Sequence, residues 1–269
     1  MVSLIDTLVP STTYNNLPYI GDVRDAPVDH AQDLKDLGDL LVKHQVPKNV
    51  VIRLIHKHFD TKDGEVMVFE TIDIPGHGKI KTMQPVVTAD SKALLRGINF
   101  FVNDEGKPQA YEYGRYDLPE LDIESFLDDF CSMVAQRGLH HKFGLSIRSD
   151  DQIERVAWTE FEYPLKRSTI MLQDSMPKPE AREAWSVNTE WDGIVRVPRD
   201  CTHVVTCRHG PTTCRHEKKC RGHDAHDADG CEEVDQNHSV ENGFRVGGET
   251  ILPGHPAFEL VGAIAVLAF

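Results

Sequence analysis

Apolar residues recur with two different periods along this chain. From Asp33 to Lys43, Leu34, Leu37, Leu40 and Leu41 fall at three- and four-residue spacing before Pro47, which predicts an amphipathic helix. The same spacing of Ile123, Phe126, Leu127, Phe130, Met133 and Val134, stopped by Gly138, predicts a helix over 120–137. Between them the pattern shortens. Val50–Phe59 and Glu65–Ile72 are β-branched and apolar and flank Asp60-Thr-Lys-Asp-Gly64, which predicts a hairpin. Further strands are expected around Ile80–Val87, Ala93–Val102 and Gln109–Tyr113, with a turn at 104–107 between the last two. The stretch Leu145–Leu172 alternates strand-like and polar pieces, and Trp185–Val197 reads as one or two more strands. The first thirty residues carry Pro and Asn punctuation without a period and read as irregular, while 201–245 is loop-like. The run 259–269 is apolar but short and is expected to pack as a strand or a helix. No repeat or linker interrupts residues 1–269, so the expectation is a single α+β domain. Its sheet would be mostly antiparallel, with a few helices and a long Cys/His-rich C-terminal loop.

Composition narrows the partners. Lys plus Arg number 29 against 43 Asp plus Glu, a formal charge of −14, and such an acidic surface opposes binding to nucleic acid or anionic membrane. No apolar run approaches the roughly 20 residues of a membrane helix. The start, Met1-Val-Ser-Leu-Ile-Asp6, lacks a basic region followed by an apolar core. A cytoplasmic location is therefore expected, in which thiols stay reduced and disulfides are disfavoured.

The chemistry-bearing residues cluster. Cys201, Cys207, Cys214, Cys220 and Cys231 share 201–231 with His203, His209, His216, His223 and His226. Thiolate and imidazole are the donors zinc prefers, yet no CxxC pair is present, so ordinary finger and ribbon frameworks do not fit. The other signal is His56-Lys-His58. On a strand, alternation would place Ile52, Leu54, His56 and His58 on one inward face, and Arg53 and Lys57 outward. Two imidazoles so placed could grip one metal ion or serve as hydrogen-bonded core residues. The C-terminal tract could fold over to add Cys207, His223 and His226 to that metal, form a zinc knot of its own, or be a solvated loop.

Two carboxylates are candidate acids or bases. Glu65 opens the returning strand: a four-residue loop pairing it with Asp60 sets it on the face of His58, and a five-residue loop turns it away. Glu112 lies between Tyr111 and Tyr113, where the plainer alternative is a rim carboxylate. Glu160 and Glu162 are expected to face solvent, and Cys131 to be a buried thiol of the second helix. No Gly-rich phosphate loop and no G-x-S-x-G elbow is present, which leaves dinucleotide, ATP and serine-hydrolase readings unsupported.

Arg53-Leu-Ile-His-Lys-His-Phe59, Asp63-Gly-Glu-Val-Met67, Tyr111-Glu-Tyr113 and the tail of Cys followed by spaced His resemble the fungal hemocyanin-like zinc proteins of the cyclopenase type, which act in viridicatin-type quinolone alkaloid pathways. The resemblance covers short blocks over about half the chain. It implies a zinc-dependent lyase with a small-molecule alkaloid substrate. That enzyme contracts a cyclopenin-type 6,7-bicyclic benzodiazepinedione to a 6,6-bicyclic quinolone with loss of methyl isocyanate. The hemocyanin label suggests paired copper held by helical histidines. Histidines on a strand and in a Cys-rich loop favour zinc. Other readings are a non-catalytic zinc-binding interaction module and a metal-dependent amide hydrolase.

Overall fold

The computed structural model describes residues 4, 6–74, 78–90, 95–115, 121–149, 158–173, 190–191, 244–246, 249–251 and 256–269. It is a mixed α and β structure with few helices, and its strands pair mostly antiparallel. The expected strands at 185–197 are described only at Glu190–Trp191, and the Cys/His-rich tract 201–231 lies outside the described residues.

Chain contacts group the fold into two compact units, Met1–Glu70 with Pro85–Arg155 and Asn188–Val197, and Thr71–Gln84 with Val156–Val187 and Pro198–Phe269. In the first unit, β1 (Val50–Leu54) lies between β6 (Phe143–Ile147) and β9 (Glu190–Trp191), antiparallel to both. Strand β6 also pairs with β4 (Arg96–Val102), which forms a hairpin with β5 (Pro108–Gly114). The hairpin turn is the expected one, with Gly106 at φ 73°, a left-handed conformation that glycine adopts without penalty. Strand β2 (Glu65–Ile74) runs parallel to β5, Met67 opposite Glu112.

The expected hairpin between 50–59 and 65–72 is therefore not formed. Every residue of β1 is buried, so its composition shows that it is interior without showing which strand lies beside it. The connection between the two strands is instead taken up by the N-terminal segment. That segment is not irregular: it folds as three single-turn helices, α1 (Ser11–Asn15), α2 (Ile20–Val23) and α3 (Ala26–Asp29). Their burial of Tyr14, Ile20, Val23 and Ala26 supplies the stability that such short helices lack alone.

Helix α4 (Ala31–Lys43) buries Leu34, Leu37, Leu40 and Leu41, as its period predicts. It packs antiparallel to α5 (Glu124–Gln136), whose Phe126, Leu127, Phe130, Cys131 and Val134 are buried. Ion pairs clamp both ends: Arg137 reaches Asp33 and Asp36 at 2.8 and 2.7 Å, and Lys43 reaches Asp129 at 2.6 Å. Burial, with Asp128 adding to it, pushes the Cys131 thiol up to about 12, the behaviour of an inert core cysteine.

The second unit has its own core. Strands β7 (Trp158–Tyr163) and β8 (Ser168–Gln173) form a hairpin; β8 also pairs with β3 (Gly78–Val87), and β7 with β10 (Phe244–Val246), itself paired with β11 (Glu249–Ile251). The closing apolar run is α6 (Pro256–Ala268), whose Val261, Ile264 and Ala265 pack with Ile80, Phe161, Ile170, Leu172 and Phe244. Glu160 is half-buried and Glu162 is buried, which corrects the solvent-facing expectation for the latter. Among the described residues no helix is long and apolar enough to cross a membrane.

Candidate functional site

The first unit buries an unusual set of polar side chains: Arg53, His56, Lys57, His58, Asn99 and Glu112. Three of them come from paired strands. Asn99 of β4 stands opposite Glu112 of β5, and the register slips on both sides of Asn99. Such bulges re-aim side chains, and they often flank functional sites. Here Asn99 Nδ2 donates to Glu112 Oε2 at 2.6 Å. Arg53 of β1 reaches the same oxygen at 3.6 Å and donates from Nε to the Tyr111 hydroxyl at 3.3 Å.

Arg53 lies opposite Gly144 on β6 and Glu190 on β9. A Cβ on Gly144 would lie 2.0 Å from the Phe100 carbonyl oxygen, so a side chain at 144 would push β6 and β4 apart. Outward-facing cations and a rim carboxylate are thus both overturned. Arg53 and Lys57 are 3% and 6% exposed and Glu112 is 0% exposed. Each cation is retained inside by an acidic partner, Arg53 by Glu112 and Lys57 by Asp60 at 2.8 Å.

His56 and His58 lie just beyond β1, not on it. The chain leaves the sheet after Ile55, whose N–H still donates to Lys142, and at Lys57 forms a parallel bridge to Tyr19. The N-terminal helices hold this departure. Lys57 Nζ donates to the Asn15 carbonyl. The Asn15 side chain clasps the Thr61 backbone at both N–H and C=O, at 2.8 and 2.9 Å, and Ser11 Oγ donates to Asp63 at 2.7 Å. The two imidazoles are brought edge to face, their centroids 4.8 Å apart, and both are buried.

His56 Nδ1 lies 2.9 Å from the Leu54 carbonyl oxygen. A carbonyl can only accept, so Nδ1 carries a proton, and in the neutral ring Nε2 is then the ligating nitrogen, the arrangement common in metal-bound histidine. The ligating nitrogens of His56 and His58 lie within 4.8 Å of one another, so the pair could hold a metal ion. The other expected ligands, Cys207, His223 and His226, lie outside the described residues.

Tyr14 of α1 joins the two groups. The backbone N–H of His58 faces its phenol oxygen, and Glu112, Tyr111 and Arg53 act on its charge. Burial first, then the Glu112 carboxylate and the Tyr111 ring, hold its pKa well above the ordinary phenol value, so it keeps its proton. Its ring centroid is 6.4 Å from that of Tyr111. Neither Tyr14 nor Asn99 stands out in the sequence: one sits in a segment without period, the other inside an apolar strand. A lone Asn between Ile98 and Phe100 is the only trace.

The other expected acid–base group is placed differently. Glu65 Oε2 accepts the Lys62 N–H at 2.8 Å, capping the turn into β2. The hairpin register that was to decide its facing does not arise, because β1 and β2 are not partners.

Comparison with known proteins finds no matching family model, and neither the curated proteins nor the solved structures yield a match.

Proposed function

We propose that this chain is a zinc-dependent enzyme of fungal secondary metabolism. Its reaction is contraction of a cyclopenin-type 6,7-bicyclic benzodiazepinedione to a viridicatin-type 6,6-quinolone with elimination of methyl isocyanate. The observation that carries the reading is the pair of buried imidazoles, 4.8 Å apart, joined through Tyr14 to the buried Glu112. Interiors do not collect histidines, a carboxylate and a guanidinium for stability, because each costs desolvation that apolar residues avoid. The resemblance of the Arg53–Phe59, Asp63–Met67 and Tyr111–Tyr113 blocks to the cyclopenase type supplies the reaction.

His56 and His58 would hold the metal, with Cys207, His223 and His226 as the remaining candidate donors. Zinc, when bound, supplies a Lewis acid that polarises a carbonyl or epoxide oxygen without redox. Glu112 holds or moves the proton of ring opening at its Oε1, the oxygen not engaged by Asn99. Tyr14, kept neutral, donates a hydrogen bond to oxygen that gains charge. Glu65, occupied at the turn, is the weaker acid–base candidate. The substrate is a small neutral alkaloid met in the cytoplasm.

Incubation of the purified protein with cyclopenin, followed by mass spectrometry, tests this. Formation of viridicatin, lost in His58→Ala and Glu112→Gln, is the expected result. Unchanged cyclopenin with zinc-loaded protein would refute the activity.

A further inference from the structure

Among the buried polar atoms of the first unit, those of Glu112, Asn99 and Tyr14 have unspent hydrogen-bonding capacity. Glu112 Oε1 and Asn99 Oδ1 accept nothing from the described residues, and the Tyr14 hydroxyl finds no acceptor among them. Buried groups of this kind normally have partners, and leaving one unmatched costs about 1–3 kcal/mol. The three residues form one neighbourhood. Asn99 is bonded to Glu112 at 2.6 Å, and Tyr14 packs on Tyr111, the chain neighbour of Glu112, while feeling the Glu112 charge.

Their sum defines a ligand. Two acceptors ask for hydrogen donors, and one phenol O–H asks for an acceptor. Arg53 already sets a positive charge 3.6 Å from Glu112 Oε2, so a cationic ligand would meet a carboxylate that is largely neutralised. The complementary group is neutral and carries N–H and C=O together.

We propose that Glu112, Asn99 and Tyr14 form a recognition site for a neutral amide whose N–H meets Glu112 Oε1 or Asn99 Oδ1 and whose carbonyl meets the Tyr14 hydroxyl. The assignment deepens the reading above by naming the group that is held. It rests on that reading only in that a small molecule must reach this interior. An ordered water is the competing occupant, since it too both donates and accepts.

The test is binding, not turnover. Purified full-length protein is titrated with δ-valerolactam, a small cis amide, and with N-methyl-δ-valerolactam, which keeps the carbonyl and lacks the N–H, by ligand-observed NMR. The lactam should bind at least about tenfold more tightly than its N-methyl analogue, the factor expected when a buried acceptor loses its donor. Glu112→Gln is nearly isosteric and exchanges the Oε1 acceptor for an N–H donor, so the discrimination should vanish. Tyr14→Phe, which removes one oxygen, should weaken both probes alike. Melting curves of the variants confirm that each is folded. Equal binding of the two probes, or saturable binding of neither, overturns the proposal and leaves water as the occupant. A protein that discriminates the lactams yet leaves cyclopenin unchanged refutes the activity alone. One that yields viridicatin without discriminating them refutes the amide site alone.

Discussion

Replacing Arg53 by Met strips Glu112 of its cation while preserving length and apolar volume. The two charges are 3.6 Å apart with side chains 4% and 0% exposed. At an effective dielectric of about 20 that separation corresponds to roughly 4–5 kcal/mol of attraction. Breaking such a buried pair from one side costs about 3–5 kcal/mol, because the remaining charge stays desolvated. Replacing both members with apolar residues of similar volume is often neutral or stabilising. Urea denaturation followed by circular dichroism should therefore show Arg53→Met and Glu112→Met each losing about 3 kcal/mol or more, with the double variant recovering part of that loss but staying about 1–3 kcal/mol below wild type, because Asn99 Nδ2 still lacks its acceptor. The double variant should be inactive on cyclopenin. That combination, stability partly restored and chemistry lost, identifies the pair as retained for the reaction. If Arg53→Met alone costs less than about 1 kcal/mol, the interior is not dry and the desolvation argument fails.

Three further outcomes follow from the same structure. Asn15→Ala removes both bonds to the Thr61 backbone and should cost about 1–2 kcal/mol, with faster amide hydrogen exchange concentrated at 57–63 and weaker metal retention. Gly144→Ala drives a methyl into the Phe100 carbonyl and should lower stability by at least about 1–3 kcal/mol; an unchanged melting temperature would show that β4 and β6 are not so close. The α4–α5 clamp gives a pH dependence. Hydrogen bonds from His30 and Arg137 lower the Asp33 pKa, those from Arg137 and Gln32 lower that of Asp36, and those from Lys43 and His44 lower that of Asp129. Depressed carboxylates contribute stability in full above their unfolded value of about 3.9, and that stability is lost as pH falls through their folded values. The Arg137→Met melting temperature should thus approach that of wild type in this acid range. The difference should be small because these groups are exposed.

Periodicity showed elements well and partners poorly. The leucines of α4 and the Phe126–Val134 stripe of α5 place both helices within a few residues, because an amphipathic stripe faces one core whatever lies opposite. The β4–β5 turn was equally legible from its local chemistry. Strand β1 was not: with both faces covered, its all-apolar run carries no mark of its partner, and proximity in sequence wrongly suggested β2. The histidine pair was legible by residue type, but its geometry depends on Asn15, Lys57 and Tyr19, contacts across some forty residues that no local pattern records. The depth of Glu112 was hidden for a similar reason. Its burial follows from the double register slip at Asn99 and from Arg53 reaching across from β1, both properties of the assembled sheet.

The central claim is that His56 and His58 hold a metal ion within this interior. Zinc-edge X-ray absorption of the full-length protein, with metal content measured on the same sample, tests it most directly. About one zinc per chain is expected, with at least two imidazole nitrogens at about 2.0–2.1 Å, and both signal and metal should be lost in the His56→Ala/His58→Ala variant. Zinc bound entirely by sulfur and undiminished in that variant, or no bound metal at all, would contradict it.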